Sequence, residues 1–132
     1  MGHTAYTPPE YRTVTPYLIV ARAAELIGFI SSVFGGEEIQ RNLRPDGSVQ
    51  HAALRLGDTL IELAEARDAW PPMPAALHIY VPDTDAAYRR ALTAGATTLY
   101  EPADMDYGER SAGVQDPHGN HWYIATALTP GS

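Results

Sequence analysis

Apolar residues along the first part of this chain change from the spacing of a strand to that of a helix. Residues 14–20 are rich in β-branched and aromatic side chains and predict a strand, with Pro16 indicating an edge position or an irregular start. The helix that follows is predicted by five apolar residues at helical spacing: Leu26, Ile27, Ile30, Val33 and Phe34. Gly35 and Gly36 then indicate where this helix ends.

Three strands are predicted after the helix, over residues 38–43, 49–56 and 59–64. Gly57 and Asp58 separate the last two strands and favour a type II′ hairpin turn, because glycine readily adopts the positive φ that the first central position of this turn needs. With that turn, Ala53 lies opposite Glu62 and His51 is the diagonal neighbour of Glu62.

The same order of elements is predicted again after residues 66–75, a segment with three prolines that indicates a linker. Asp83 is placed to cap a second helix, which ends at Gly95. The second set of strands is predicted over residues 76–81, 97–101, 110–115 and 121–127, with a polar loop at 102–109. Val20 and Val81, which end the first strand of each half, are 61 residues apart.

This duplication predicts an α+β fold of two βαβββ modules that pair into a cupped mixed sheet, because neither module is expected to bury its sheet face alone. A ferredoxin-like sandwich is an alternative, but it does not explain three strands after each helix. A chain of 132 residues is long enough for one domain. The predicted layout is a flexible N-terminal tail 1–13, a single domain 14–127 made of modules 14–65 and 76–127 joined by linker 66–75, and a C-terminal tail 128–132.

Composition narrows the classes of function. Hydrophobic residues make up 45% of the chain and charged residues 19%, which is typical of a folded globular protein. A formal net charge of −7 without a basic stripe argues against nucleic acid and anionic membranes as partners. The absence of cysteine excludes disulfides, thiolate metal sites and cysteine nucleophiles. Since neither a signal-peptide pattern nor an apolar run of about 20 residues is present, we expect a cytoplasmic protein.

Glu62 is the clearest candidate for chemistry. If its strand face is enclosed, the carboxylate needs a partner or a proton, because burying it alone would cost on the order of several kcal/mol. A solvent-facing glutamate at the rim of the sheet is the alternative. His51 and His78 are candidate partners, since a neutral imidazole suits both metal binding and acid–base catalysis. Glu62, His78 and His51 together would suit one divalent ion such as Zn, Ni, Mn or Fe, and a site without metal remains open.

Further residues are candidates for contact with a small-molecule ligand. The catalytic candidates are Glu62, His78 and Tyr123, and the substrate-binding candidates are Tyr17, His51, Tyr80, Arg110, His121 and Trp122. Aromatic side chains with a few polar groups are typical of ligand pockets, although sheet packing also explains them. The polar loop before Arg110 is predicted to close over the cavity, with Arg110 binding an anionic group; a surface ion pair is the alternative.

Four segments carry a resemblance to a known superfamily. They are VTPYLIVARAAELIGFISSVFGGEE, QHAALRLGDTLIEL, LHIYVPDTDAAYRRALTAGA and YGERSAGVQDPHGNHWYIAT. In this order and spacing, over roughly residues 14–127, the chain resembles the glyoxalase, bleomycin-resistance and extradiol-dioxygenase superfamily, also called the vicinal oxygen chelate superfamily. More narrowly it resembles the PhnB-like branch. The resemblance implies the duplicated fold and a homodimer, while one such scaffold hosts many functions.

The resemblance also implies positions for a metal. Members with a metal usually hold it by one residue from the first strand and one from the last strand of each module. By position, Glu62 keeps the acidic ligand of the first module, and the other three positions fall on Thr15, Ala76 and Tyr123. His78 lies two residues after Ala76 on the same strand face. The usual ligand pattern is therefore retained only in part.

Two functions follow as hypotheses. The first is an enzyme, a lyase or isomerase that acts on a small oxygenated metabolite, with a divalent metal as one option. The second is a metal-free protein that binds small molecules, comparable to superfamily members that sequester antibiotics, and the missing ligand positions favour it. An inward glutamate with two histidine partners favours the enzyme slightly. A structural or regulatory partner domain is a third possibility, but no charged or amphipathic interaction segment supports it.

Overall fold

The computed structural model describes residues 6–129 and contains eight strands and two helices within them. Their bounds are β1 Tyr17–Val20, α1 Ala23–Phe34, β2 Glu37–Leu43, β3 Val49–Leu56, β4 Thr59–Glu65, β5 Ala76–Tyr80, α2 Thr84–Thr93, β6 Thr97–Asp104, β7 Glu109–Gln115 and β8 His121–Ala127. The chain forms two compact units. The first contains β1 to β4 and most of α1, and the second contains the last turn of α1, β5 to β8 and α2.

Both units have the same sheet topology. The strand order is β1-β4-β3-β2 in the first sheet and β5-β8-β7-β6 in the second. The first strand of each unit pairs parallel to the last one, and all other pairs are antiparallel. The α+β class and the two βαβββ modules predicted from the sequence are therefore confirmed.

Each helix has its N-terminus satisfied by a carboxylate, but from different places in the chain. Asp83 caps α2 as predicted, accepting a hydrogen bond at 3.1 Å from the backbone N–H three residues later. The cap of α1 comes from the end of β4, where Glu65 accepts hydrogen bonds from the backbone N–H groups of Arg22 at 2.7 Å and Ala23 at 2.9 Å. A distant carboxylate replaces the local cap because Arg22, at φ 58°, has no side-chain acceptor.

The segments predicted to be irregular are more ordered than their composition indicates. In the predicted linker, Arg67 and Trp70 exchange two backbone hydrogen bonds of 2.8 and 2.7 Å, and Met73 donates to the carbonyl of Ile19 in β1 at 3.0 Å. Part of this linker thus belongs to the first unit. The predicted tails lie partly outside the described residues. In the described part of the N-terminal tail, Arg12 Nη2 lies 3.2 Å from the carboxylate oxygen Oδ2 of Asp58 in the β3–β4 turn.

Several strand boundaries differ from the sequence prediction by one to three residues. The first strand begins at Tyr17 and not at residue 14, so that Pro16 lies just before it. The loop predicted at 102–109 is wrong at both ends, since β6 continues to Asp104 and β7 starts at Glu109. Pro102 is tolerated because β6 is an edge strand with irregular pairing, where a missing N–H costs no ladder hydrogen bond.

Each unit has its own buried apolar side chains. Those of the first unit include Leu18, Val20, Leu26, Ile30, Leu54 and Leu63, and those of the second include Ala87, Ala91, Ala112, Val114, Trp122 and Ile124. Neither helix within residues 6–129 has the length and apolar composition needed to cross a membrane. Buried residues lie on both faces of the central strands β3 and β4, and partly exposed side chains such as His51 and Glu62 are interspersed among them on one face.

Candidate functional site

Glu62 lies on the more open face of the first sheet. Its neighbours in β4, Ile61 and Leu63, are buried on the other face, because side chains alternate along a strand. The side chain of Glu62 is 23% exposed. Ala53 lies opposite it in β3, and Gly57 in the connecting turn has φ 58°, as the predicted hairpin requires.

Four polar side chains on this face form one continuous chain of hydrogen bonds. Asn42 Nδ2 donates to Gln40 Oε1 at 2.9 Å, and Gln40 Nε2 contacts His51 Nδ1 at 2.5 Å. His51 Nε2 then contacts Glu62 Oε2 at 2.8 Å. Because an amide nitrogen can only donate, Nδ1 of His51 is the acceptor and Nε2 carries the proton that is donated to Glu62.

The direction of this chain decides which side chain is available for chemistry. Both ring nitrogens of His51 are occupied, so the neutral imidazole has no free lone pair. Glu62 uses one oxygen for His51, and Oε1 has no hydrogen-bond partner within residues 6–129. His51 and Glu62 are 26% and 23% exposed, so both are partly shielded but reachable by a small molecule. The geometry therefore leaves Oε1 of Glu62 accessible and uses both nitrogens of His51 in the contacts that hold the carboxylate.

Two tyrosines flank this pair. Tyr17 is paired with Glu62 in the parallel β1–β4 ladder, and its ring centroid lies 6.1 Å from that of His51. Tyr17 is 48% exposed, so much of its ring faces solvent. The pKa of Tyr11 is raised by partial burial and then by the charge of Glu62, which keeps this phenol protonated near the carboxylate.

The second unit also contains a histidine–glutamate pair, but here the histidine is the more exposed partner and the glutamate is buried. Glu109 is buried, with a side chain only 7% exposed, and it accepts hydrogen bonds from His78 Nε2 at 3.0 Å and from Tyr80 OH at 2.9 Å. The rings of His78 and Tyr80 stack with centroids 4.7 Å apart. His78 is 44% exposed, and its Nδ1 has no hydrogen-bond partner among the described residues. In this pair the histidine is accessible and the carboxylate supports it.

A cluster of tyrosines lies next to this pair on the same sheet. Tyr100 stacks on Tyr123 with centroids 6.5 Å apart, and its hydroxyl lies 2.7 Å from Ser111 Oγ. Gly113 lies under the Tyr100 ring, where a Cβ atom would collide with it. Tyr123 OH also lies 3.3 Å from His121 Nδ1. His121 and Tyr123, which were separate candidates from the sequence, are thus in contact with each other beside Tyr100.

The ladder registers show which residues of the two units correspond. Tyr17 pairs with Glu62 in the β1–β4 ladder, and His78 pairs with Tyr123 in the equivalent β5–β8 ladder. Tyr123 therefore occupies the position that Glu62 holds in the first unit, and His78 the position of Tyr17. By the same comparison of ladders, the residue of the first unit equivalent to Glu109 is Val49. The carboxylate of Glu109 therefore has no equivalent in the first unit.

Two predicted substrate-binding residues lie on the other side of the second sheet. Trp122 is 1% exposed, and its Nε1 donates to the buried Asp116 at 2.8 Å. Arg110 is held by both carboxylate oxygens of Asp85 in α2, at 2.6 and 3.0 Å, and by Asp104 at 3.0 Å. Both predictions are corrected: adjacent residues of a strand point to opposite faces, so Trp122 and Arg110 cannot share the face of Tyr123.

The predicted metal ligands do not form a donor group. Within residues 6–129, no three His, Asp or Glu side chains are grouped so that they could hold a metal ion. His51 and Glu62 are bonded to each other, and His78 is bonded to Glu109. Sites with three protein ligands are usual for a catalytic zinc ion. The side chains that are present fit hydrogen-bonded pairs better than they fit a metal centre.

Three residues of these pairs were not predicted from the sequence. Glu109, Gln40 and Asn42 are absent from the candidate residues that the sequence indicates. Gln40 and Asn42 alternate with the expected period along β2, so their shared face was readable from the sequence. Glu109 was hidden because it was placed in a loop, although it begins a strand.

Comparison with families of known proteins identifies one superfamily. The family model described as Glyoxalase/Bleomycin resistance protein/Dioxygenase superfamily matches residues 2–124. An uncharacterized protein of Mycobacterium bovis is 36% identical over 122 residues, which cover 84% of this chain and 80% of that protein.

Solved structures with the same fold have much lower identity. A PhnB protein from Bacillus cereus aligns with a TM-score of 0.69 at 15% identity, covering 88% of this chain and all of that chain (100%). The fosfomycin resistance protein FosX from Mesorhizobium loti aligns with a TM-score of 0.64 at 14% identity, covering 86% and 90% of the two chains. At such identities these matches show the fold alone.

Proposed function

The chain belongs to the Glyoxalase/Bleomycin resistance protein/Dioxygenase superfamily, and from this premise we propose that it is an acid–base enzyme, a lyase or isomerase acting on a small oxygenated metabolite. The observation that carries the proposal is the directed chain from Asn42 through Gln40 and His51 to Glu62. Such a chain holds one carboxylate oxygen and leaves the other for a substrate.

Glu62 would act as the general base. It would take a proton from the hydroxyl-bearing carbon next to a carbonyl group, which leaves an enediolate. In an isomerase it would return this proton to the former carbonyl carbon, while the hydroxyl proton passes to the former carbonyl oxygen. A positioned base contributes typically about 10²- to 10⁴-fold to such a step. His51 would orient the carboxylate through its Nε2 proton and would not itself gain or lose a proton. Tyr17 borders the same face and would contact the substrate.

Roles for the residues of the second unit belong to the same proposal. Within the second unit, His78, backed by the buried Glu109, would serve as an acid–base group. Tyr123 would orient a ligand through its hydroxyl, and Tyr80 and His121 would contact it. No step is assigned to a metal ion, since the described residues do not offer a three-ligand donor group.

The alternative function is metal-free binding of a small molecule without turnover. Large aromatic side chains support it, because Tyr17 and Tyr80 are 48% and 62% exposed on the faces that carry the polar pairs. One structural neighbour is named as a fosfomycin resistance protein. A binding protein would need an accessible face of this composition but would gain nothing from a carboxylate with one oxygen held by a histidine.

Proton exchange separates the two functions. Hydroxyacetone, dihydroxyacetone and phenylpyruvate would be incubated with the protein in D₂O, and the loss of the carbon-bound proton signals next to the carbonyl would be followed by NMR. We expect at least one of them to exchange faster with the wild-type protein than in buffer. Glu62→Gln, which still accepts the proton of His51, is expected to lower the protein-dependent rate about 100-fold or more.

Glu101→Gln is the matched control, because it removes an exposed carboxylate of β6. This control is expected to keep the wild-type rate. Full activity in Glu62→Gln would contradict the assignment of the base. A panel in which no compound exchanges faster than in buffer would favour the binding function instead.

Assembly, cellular location and subfamily are part of the proposal. A homodimer is expected, since closed two-fold dimers are the commonest assemblies of small domains, and sedimentation velocity measures it directly. A cytoplasmic location and membership of the PhnB-like branch are proposed on the same superfamily premise.

A further inference from the structure

A cleft of about 420 Å³ opens in the first unit, where β1 and β4 end. We propose that it binds a small aromatic acid, an organic anion with a flat apolar body, and that this is the substrate class of the proposed enzyme. The inference rests on the proposed function, because it places the ligand next to Glu62. A volume of this size suits a small molecule and is too small for a folded partner.

The outer wall of the cleft comes from the segment that follows β4. Trp70 and Arg67 line it, and the guanidinium of Arg67 lies 5.9 Å from the Trp70 ring centroid. Two reciprocal backbone hydrogen bonds between these residues hold the turn, and the bond from Met73 to Ile19 fixes the segment on β1. The indole is 55% exposed although its backbone is held in place, so a flat ring can stack on it without a large ordering cost.

The charge of the cleft differs from that of the whole chain. All nine cationic residues are arginines in a chain of net charge −7. Five of them form ion pairs with carboxylates: Arg12, Arg22, Arg41, Arg55 and Arg110. Arg44 and Arg67, which both line the cleft, form no ion pair with a carboxylate within residues 6–129. Arg44 is tethered by Ser48 Oγ at 3.1 Å, so its guanidinium is positioned.

Glu65 also lines the cleft, but its negative charge is already stabilised by hydrogen bonds. Both oxygens of Glu65 accept backbone N–H groups at the N-terminus of α1, at 2.7 and 2.9 Å. The positive end of the helix dipole compensates this charge. Arg44 also attracts the exposed Asp46, whereas no carboxylate pairs with Arg67 within residues 6–129. The two arginines together therefore leave a net attraction for an anion. A guanidinium binds a carboxylate with two parallel hydrogen bonds, which a neutral amide cannot reproduce.

The position of the cleft links it to the proposed base. Tyr17 lines the cleft, and its ring lies 6.1 Å from that of His51. Ala64, another lining residue, lies two positions after Glu62 on the same strand face, which is roughly 7 Å along a strand. An aromatic acid held by the arginines can thus extend along this face toward Glu62.

Calorimetric titration of the full chain with 2-naphthoate and with its neutral analogue 2-naphthamide tests the proposal. We expect the acid to bind at least about tenfold more tightly than the amide, which corresponds to one charge-assisted pair of hydrogen bonds. The preference for the acid should shrink as salt is added. This comparison uses the wild-type protein alone, so it does not depend on the folding of any variant.

Variants then locate the binding site. Arg67→Gln and Arg44→Gln are each expected to weaken naphthoate binding about fivefold or more and to leave naphthamide binding unchanged. Arg89→Gln is the control, since Arg89 also has no ion pair within residues 6–129 but lies in α2 of the second unit. Trp70→Leu should weaken both ligands. Equal affinity for acid and amide, or naphthoate binding unaffected by both cleft arginines, would overturn the proposal.

The binding experiment and the proton-exchange experiment can contradict their two proposals independently of each other. Glu62→Gln is expected to bind naphthoate at least as tightly as the wild-type protein, because it removes a negative charge from the face toward which the acid extends, while losing proton exchange. If naphthoate binds more tightly than naphthamide but no compound exchanges its protons, the proposed anion-binding cleft is supported and the proposed enzyme function is wrong. If exchange occurs and acid and amide bind equally, the enzyme stands and the substrate class proposed here is wrong.

Discussion

The buried carboxylate of Glu109 supports the exposed ring of His78 through a 3.0 Å contact between Oε2 and Nε2. In the first unit the order is reversed, since His51 is held between Gln40 and Glu62 and the carboxylate keeps a free oxygen. The same two residue types thus make a supported histidine in one unit and a supported carboxylate in the other. Which atom can react follows from the hydrogen bonds and not from the residue types.

This difference predicts the reactivity of the two histidines. Diethyl pyrocarbonate acylates a free imidazole nitrogen, and Nδ1 of His78 has no hydrogen-bond partner among the described residues. His51 has both nitrogens occupied and is 26% exposed against 44% for His78. We expect His78 to be modified at least several times faster, as measured by peptide mass spectrometry. Comparable rates, with His121 as an internal reference, would contradict the arrangement of the first unit.

The tautomer of His51 is a second prediction. The amide of Gln40 places a donor at Nδ1, so the neutral ring must carry its proton on Nε2. Long-range ¹H–¹⁵N correlation spectra distinguish the two tautomers at a pH where the ring is neutral. The wild-type protein should show only the Nε2–H form, and Gln40→Ala should show a mixture. A dominant Nδ1–H form in the wild-type protein would mean that Gln40 is turned the other way.

Tyr80 predicts a change in stability at alkaline pH. Its pKa is raised, first because the phenol donates a hydrogen bond to Glu109 and then by partial burial and by the nearby negative charge of Glu109. A raised folded-state pKa gives stability that is present below the unfolded value of about 10 and is lost as pH rises through the folded value. Urea unfolding at pH 8 and pH 11 should show a larger loss of stability for wild type than for Tyr80→Phe. Equal losses would show that this hydrogen bond does not persist in solution.

The turn before β8 is predicted to depend on one buried carboxylate. Asp116 is 3% exposed and accepts four hydrogen bonds of 2.8 to 3.0 Å, from the backbone N–H groups of His118 and Asn120, from Asn120 Nδ2 and from Trp122 Nε1. Asp116→Ala leaves these buried donors unsatisfied and should lower the free energy of unfolding by about 3 kcal/mol or more. Asp106→Ala, at an exposed position, is the control and should change it by less than about 0.5 kcal/mol.

The remote cap of α1 gives a smaller effect. Glu65→Ala removes both hydrogen bonds to the first N–H groups of the helix, at 2.7 and 2.9 Å. By analogy with local caps, the expected loss is about 1 kcal/mol. Glu65→Gln should recover part of it, since one amide oxygen still accepts. Denaturant unfolding measures both variants, and no loss in Glu65→Ala would show that water caps this helix equally well.

Much of the fold was predictable because its signals are local. Helical spacing and a terminal glycine located α1, Asp83 located the start of α2, and the two-residue turn at Gly57 determined the register that joins His51 to Glu62. A short turn determines register without any information from the rest of the chain. The diagonal contact predicted between these two side chains is a hydrogen bond of 2.8 Å.

The errors arose where register depends on distant residues. The pairing of β6 with β7 is irregular, so composition predicted a loop there and did not indicate Glu109 as a site residue. Arg110 was predicted to face the cavity because it follows this loop. The structure places its side chain on the opposite face of the sheet, against α2. The prediction that Trp122 contacts the substrate was an avoidable error, since Trp122 is the direct neighbour of Tyr123 on a strand and must point to the other face.

The sequence by itself determined the elements, the duplication and the pairing of His51 with Glu62, because each depends on residues close together in the chain. Tertiary structure decided which atoms are free to react. The amide of Gln40, the burial of Glu109 beneath His78 and the attachment of Trp70 beside Tyr17 all join residues from different elements. Such contacts depend on pairing and burial across the whole unit, and no local pattern of side chains encodes them.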